Sequence, residues 1–169
     1  MQGVRVRPEQ ETDVAAIEAV TVAAFLNAPH TSHTEQFIVN ALRKAGQLAV
    51  SLVAEGESGV IGHVAASPVT VSDGSTGWYG IGPISVLPEH QRQGIGGLLM
   101  EHALDALRAL GALGCVVLGD PAYYGRFGFK AEPNLILPGV PAEYFQAIVF
   151  SGFVASGTIT YHEAFNAIA

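Results

Sequence analysis

The stretch Ile84-Ser-Val-Leu-Pro-Glu-His-Gln-Arg-Gln-Gly-Ile-Gly-Gly-Leu-Leu-Met100 holds the residues whose types and spacing best suit chemistry. Its first part reads as the end of a strand, and Pro88, with no N–H to donate, stops the pairing there. Gly94 and Gly96 stand where a helix begins, and Ile95, Leu98, Leu99, Ala103, Leu107 and Leu110 then recur at helical spacing. The first N–H groups of such a helix have no internal partners and, with the positive end of the helix dipole, form an anion site. Glycine removes the Cβ atoms that would hold a phosphate away from the backbone. Two familiar phosphate motifs fail. A P-loop ends in Gly-Lys-Ser/Thr, and no lysine lies between Lys44 and Lys130. A dinucleotide fingerprint needs a third glycine where Leu99 stands. The pattern that is met is Q/R-x-x-G-x-G/A, at Gln91, Gly94 and Gly96. The plain alternative is a strand–turn–helix that uses glycine for geometry alone.

Other reactive residues are few. Asp120-Pro-Ala-Tyr-Tyr-Gly-Arg-Phe-Gly-Phe129 brings two tyrosines and an arginine together, and Asp120-Pro121 suits the start of a short helix, Ala122 to Arg126. The lone cysteine, Cys115, sits in an apolar run and reads as packing; it rules out an internal disulfide. His30 and His33 have metal-like spacing but no third ligand, so no metal is expected.

Stepping outward to the elements that must position these groups, the 169 residues suit one domain spanning 1–169. Charged residues are 14% of the chain, below the usual ~25%, which argues against disorder. The net charge of −7 argues against nucleic acid as a partner, because phosphate backbones are held by clustered Lys and Arg. No apolar run approaches the ~18 residues of a membrane span, and Met1 to Arg7 lacks the apolar core of a signal peptide, so no membrane is expected and a cytoplasmic location is the default.

In chain order, Gly3 to Arg7 reads as a strand closed by Pro8. Val14, Ile17, Thr21, Ala24 and Phe25 define one helix, and Phe37, Ile38, Ala41 and Leu42 a second that Gly46 ends. Ser32-His-Thr-Glu35 reads as a capping box opening that second helix. Gln47–Ala54, Val60–Val71 (interrupted near Pro68) and Trp78–Leu87 read as an antiparallel meander. Gly80, Gly82 and Pro83 inside the last of these predict a bulge or a close backbone approach. After the glycine-turn helix, Gly114–Leu118 is a strand buried on both faces and parallel to Trp78–Leu87, completing a βαβ unit. Phe127-Gly-Phe129 leads into a further strand, and Glu132–Pro141 is a proline-rich loop. Phe145–Phe150 and Gly157–Tyr161 then read as a hairpin. The expectation is an α/β (α+β) fold with a central mixed sheet.

This element order, together with the Gln91–Gly96 pattern after a strand ending in Val-x-Pro, resembles the GNAT superfamily of N-acetyltransferases along nearly the whole chain. A second patch is similar as well: in the superfamily a tyrosine stands four residues before a Gly-Phe pair, as Tyr124 stands before Gly128-Phe129. The run from Gly82-Pro-Ile-Ser-Val86 through Phe129 looks closest to a bacterial subgroup known mainly as predicted acetyltransferases. The resemblance implies the acyl-CoA N-acyltransferase fold: an antiparallel N-terminal meander, a splayed parallel pair, a C-terminal hairpin and helices on both faces.

The resemblance also implies roles. Acetyl-CoA would be the cosubstrate, its pyrophosphate held by the backbone of Gln91, Arg92, Gln93, Gly94, Ile95, Gly96 and Gly97. Its pantetheine arm would pair with Ile84, Ser85 and Val86 like an added strand. Arg92 and Arg126 would add charge. Tyr124 would give the leaving thiolate a proton, since a phenol (pKa ~10) stays protonated where a thiol (~8.5) begins to ionise; Tyr123 reads as packing. The glutamate that some members carry on the central strands is missing between Trp78 and Leu87, so the base stays open among His63, Asp120 and Glu35. The acceptor would be a primary amine of a small molecule or peptide. A non-catalytic acyl-CoA sensor is the alternative, and a ribosomal protein terminus a more remote acceptor. Whether Phe145–Phe150 is core or a homodimer interface stays open.

Overall fold

The computed structural model describes residues 3–29 and 31–169. His30, one half of the spaced histidine pair, and Met1-Gln2 lie outside the described residues. The elements are β1 (Arg5–Pro8), α1 (Val14–Phe25), α2 (Glu35–Lys44), β2 (Val50–Gly56), β3 (Gly59–Val71) and β4 (Trp78–Val86). They continue with α3 (Ile95–Ala109), β5 (Gly114–Leu118), α4 (Pro121–Tyr124), β6 (Lys130–Ala131), β7 (Leu135–Ile136), β8 (Phe145–Val149) and β9 (Gly157–Tyr161).

The strands join in the order β1-β2-β3-β4-β5-β8-β6, with β9 pairing β3 and β7. The β1–β4 part is antiparallel, and β4 and β5 are parallel, as the crossover through α3 requires. Alternation along β2 assigns the two faces. Leu52 and Ala54 pack with Leu99, Met100 and Leu107 of α3, whereas Val53 packs with Ile17 of α1 and Val39 of α2. At the edge, Arg7 reaches Asp13 at 2.7 Å and Glu55 at 3.2 Å, tying β1 to the start of α1 and to β2.

The bulge expected at Gly82-Pro83 is present. Val64 and Ala66 of β3 face Ile84 and Ile81 of β4, so β4 carries one extra residue. β3 itself is not interrupted at Pro68, which pairs with Tyr79; beyond it Val69–Val71 change partner to β9.

Three expectations are corrected. The C-terminal hairpin does not form. Both edges of β8 are taken, by β5 and by β6. The chain after it is drawn across to the turn following β3, where Ser156 N–H donates to Asp73 Oδ2, Thr158 N–H to Ser72 Oγ, and Ser72 N–H to the Thr158 carbonyl. Phe145, Gln146 and Ala147 are accordingly interior to the sheet. The Glu132–Pro141 loop, in turn, contains β7, parallel to β9. The capping box is also absent. The backbone is left-handed at His33 (φ 60°), so the helix starts at Glu35 with Thr34 as its N-cap. The Glu35 carboxylate instead accepts from Thr31 Oγ1 at 2.6 Å, and Ser32 Oγ lies 2.6 Å from Thr34 Oγ1.

The face covered by α1 and α2 holds His63, which is fully buried. Burial drops its pKa from 6.5 to about 4. An unfolded chain therefore takes a proton below pH 6.5 that the folded chain refuses until about 4. Stability is complete above 6.5 and falls as pH drops through that window, by up to about 3 kcal/mol for the full shift. Asp13, held low by its Arg7 hydrogen bond, and Glu55, held low the same way, lose their contribution only at lower pH, as they protonate. Thermal melts between pH 7 and 4.5 are expected to show Tm falling with acidity, and the His63→Gln protein to lose most of that slope.

Candidate active site

The site is built where β4 leaves β5. The parallel pairing runs only through Trp78–Gly114, Tyr79–Cys115 and Gly80–Val116. The bulge follows at once, and a bulge bends and twists its strand. From Ile81 onward, β4 is paired on its β3 side alone, leaving the other edge open. That edge runs into the glycine turn, whose conformation is set by two left-handed residues, Arg92 (φ 64°) and Gly94 (φ 84°). Left-handed residues interleaved with right-handed or extended ones point successive N–H groups into one concavity that suits an anion. Gly94 is the N-cap of the 15-residue α3 and supplies no side chain to cap it. The first internal bond is Leu98 N–H to the Gly94 carbonyl at 3.0 Å, so the N–H groups of Ile95, Gly96 and Gly97 precede the helical ladder. The Gln91 side chain donates to the Val86 carbonyl at 3.0 Å and ties the turn to the strand end.

The turn and the strand end enclose an open cleft of about 510 Å³. Of the residues expected from sequence, Ile84, Val86, Gln91, Arg92, Gly94, Ile95, Gly96 and Gly97 line it. Ser85 and Gln93 do not. Ser85 alternates with its neighbours along β4, and its side chain is buried opposite His63. His90 and Tyr123 join the lining without having been anticipated, and Arg126, expected to add charge, lines it too. Tyr123 is therefore more than packing: its hydroxyl is 3.2 Å from where a Gly96 Cβ would stand. The Arg126 guanidinium stands over the Tyr123 ring, its Cζ 4.6 Å from the centroid and 5.4 Å from that of Phe127. The spacing Tyr123-x-x-Arg126-Phe127 along one short helical segment was the available signal.

The electrostatics of the cleft are distinctive for an acidic chain. Arg5, Arg7, Arg43, Arg108 and Lys130 are in ion pairs. Among the described residues, Lys44, Arg92 and Arg126 are not; Lys44 ends α2, whereas the two arginines line the cleft. The arrangement can hold a polyanion by backbone N–H groups, a helix terminus and two guanidinium groups.

Tyr124 stands beside this cleft rather than in its wall. It is the last residue of α4, which opens as expected: Asp120 Oδ1 accepts from Ala122 N–H at 2.9 Å. Its ring meets Tyr123 and Phe129 edge-on, with centroids 5.0 and 6.0 Å away. Burial, and then the neighbouring Tyr123, holds its phenol above the ordinary range. Cys115 is buried as expected, its thiol pushed up to about 12 by desolvation. Among the described residues no group of three or more potential metal ligands occurs, and no helix is long and apolar enough to cross a membrane.

Several known proteins are similar to this chain. A family model described as Acetyltransferase (GNAT) family matches residues 14–129. The N-acetyltransferase YhbS of Escherichia coli (strain K12) is 35% identical over 157 residues, covering 89% of this chain and 94% of its own. Its crystal structure in complex with CoA superposes with a TM-score of 0.87 over 98% of this chain and 93% of that one, at 34% identity. A GNAT family acetyltransferase from Brucella melitensis, solved in complex with acetyl-CoA, is 45% identical, with a TM-score of 0.86 over 98% of this chain and 99% of that one.

The position of Tyr124 depends on Gly119. A Cβ at Gly119 would stand 2.3 Å from Tyr124 Cε2, and a ring wedged between Tyr123 and Phe129 has little room to retreat. Gly119→Ala is expected to destabilise the fold by about 1–3 kcal/mol, read by urea denaturation, because the ring must leave its slot.

Proposed function

The chain belongs to the acetyltransferase (GNAT) family, and we propose that it moves an acetyl group from acetyl-CoA to a primary amine of a small molecule or peptide, by direct attack while both are bound. The observation that carries this reading is the open edge of β4 leading into the uncapped, glycine-lined start of α3. The fit is chemical. An extended amide chain finds unpaired backbone at Ile84–Val86, and a pyrophosphate finds the N–H groups of the turn from Gln91 to Gly97, with Arg92 and Arg126 beside it. Ser85 and Gln93 contribute through backbone only.

When bound, acetyl-CoA supplies an acyl carbon activated as a thioester. The chain's part is to hold that carbon still, to exclude water around it and to manage two protons. Tyr124 is the proton donor of this reading. Its hydroxyl is protonated at neutral pH, and burial makes it more firmly so. A donor that yields its proton only as a thiolate develops nearby aids departure of the leaving group without shedding charge beforehand.

Thermal unfolding with acetyl-CoA, against adenosine monophosphate as control, tests the binding half. Saturation a hundredfold above Kd is worth about 2.7 kcal/mol, a rise of several degrees. The same melt with Gly94→Leu is expected to show no rise, because a branched side chain is strained at φ 84° and blocks the turn. Thiol release with primary amines tests the other half. Tyr124→Phe is expected to lower kcat about 100-fold with acetyl-CoA binding retained. An unchanged kcat would remove the tyrosine from the reaction.

A further inference from the structure

The sheet face under α1 and α2 carries polar side chains that an apolar core has no use for. His63 and Ser67 are fully buried, and Ser85 is 2% exposed. Ser85 stands directly across the ladder from His63, and Ser67 lies on the same side of β3. Among the described residues, the Ser67 and Ser85 hydroxyls and His63 Nδ1 have no hydrogen-bond partner. Folded chains rarely leave three such groups bare on one face, since each goes without the bonds it makes in water.

The other side of the same imidazole is fully engaged. His63 Nε2 lies 2.8 Å from Ser51 Oγ. The Ser51 hydroxyl also donates to Glu9 Oε1 in a short hydrogen bond. Glu9 in turn accepts from Arg43 Nε and Nη2 at 3.0 and 2.8 Å. An ionised carboxylate can only accept, so the single Ser51 proton points to Glu9. Ser51 Oγ must then accept from His63, which places the imidazole proton on Nε2. The lone pair is on Nδ1, the unpartnered nitrogen.

We propose that His63 is the proton acceptor of the acetyl transfer, with Ser51, Glu9 and Arg43 as its positioning residues. The proposal rests on the acetyltransferase reading above. The ladder sets His63 directly across from Ser85, one strand spacing (~5 Å) from β4, whose far edge is the one assigned to the cofactor arm. Of the two other bases left open by the sequence, Asp120 caps α4, and Glu35 accepts from Thr31 through Oε2, its partnerless Oε1 standing on α2 and outside the β3–β4 ladder. Once the amine has lost its ammonium proton to solvent, its nitrogen bonds to the acyl carbon, one N–H bond breaks with its electron pair left on nitrogen, and the Ser85 hydroxyl on the intervening strand passes a proton on so that an Nδ1–H bond forms. The carbon–sulfur bond breaks with its pair on sulfur, which takes the Tyr124 proton. After release, the imidazolium proton and the phenolate deficit cancel through water.

The ionic surroundings of His63 come from few elements. Glu9 and Arg43 act on it with opposite sign, and burial dominates both. Glu35 opens α2, β4 contributes only the Ser85 hydroxyl, and the buried residues of α1 are Ile17, Val20 and Thr21. A value of about 4 keeps the lone pair available throughout the neutral range.

Nitrogen-15 NMR of the full-length protein reads the tautomer directly. Nε2–H with bare Nδ1 is expected, and a proton on Nδ1 would overturn the proposal without any activity measurement. Thiol release from acetyl-CoA with spermidine, tyramine and lysine amide then gives kcat against pH. The amine must be neutral to attack, so kcat of both proteins is expected to rise with pH below the pKa of the bound amine, with His63→Gln about 100-fold lower throughout. Ser51→Ala, which keeps the ring, is expected to fall less and to show mixed tautomers. His63→Gln with a wild-type rate sinks the relay. A wild type whose melt is unmoved by acetyl-CoA would instead count against the acetyltransferase reading on which the relay rests.

Discussion

One backbone edge governs this molecule. Past Gly80, the side of β4 that faced β5 has no strand to pair with, because one extra residue at Gly82-Pro83 turns β4 away. Unpaired strand edges are normally covered, since bare N–H and C=O groups invite another chain. Here the gap is preserved: β5 is bound firmly on its far side by all five residues of its pairing with β8, so it cannot follow β4. The opening is therefore a property of the sheet and not of a movable loop. The glycine turn, α3 and α4 are arranged around its rim.

The two faces of the sheet divide the work. On the α3 side, an apolar cluster running from Val50 through Phe129 fixes the helix whose first turn forms the anion site. On the α1–α2 side, the smaller apolar contacts of Ile17, Val39 and Val53 surround a polar chain from Arg43 to His63. β4 separates the two, with Ile84 and Val86 showing one face and Ser85 the other. A single three-residue segment thus borders both the cofactor cleft and the buried histidine, and strict strand alternation is what allows it.

What was legible in the sequence was whatever is local. The strand–turn–helix, the Asp120 cap, the βαβ crossover and the bulge each rest on residues close together, and glycine and proline mark them by the conformations they permit or forbid. Most of the cleft lining followed, because Gln91 to Gly97 form one continuous turn. The missed features are pairings at a distance. β8 and β9 look like a hairpin by spacing alone, but their partners are β5, β6, β3 and β7. Tyr123 was hidden because only the packing of α4 onto α3 brings its hydroxyl to Gly96. Ser51 and Glu9 are 42 positions apart and His63 lies 12 further on, so the chain linking them has no signature in any window. The Ser32 capping box failed for a different reason: its spacing was right, but a left-handed His33 moved the helix start past it.

The partner exchange along β3 bears on how the protein is made. Its first half pairs with the adjacent strands β2 and β4, within about two dozen positions, but Val69–Val71 wait for β9, with Thr70 and Thr160 separated by 90 positions. On a ribosome, that end of the longest strand emerges early and stays bare while all the intervening chain is synthesised. Contacts so far apart in sequence form slowly because their loop-closure entropy falls due before they reward it. The nascent meander is thus left with a sticky outer end until its closing strand arrives, and that end is where a chaperone would have most to protect.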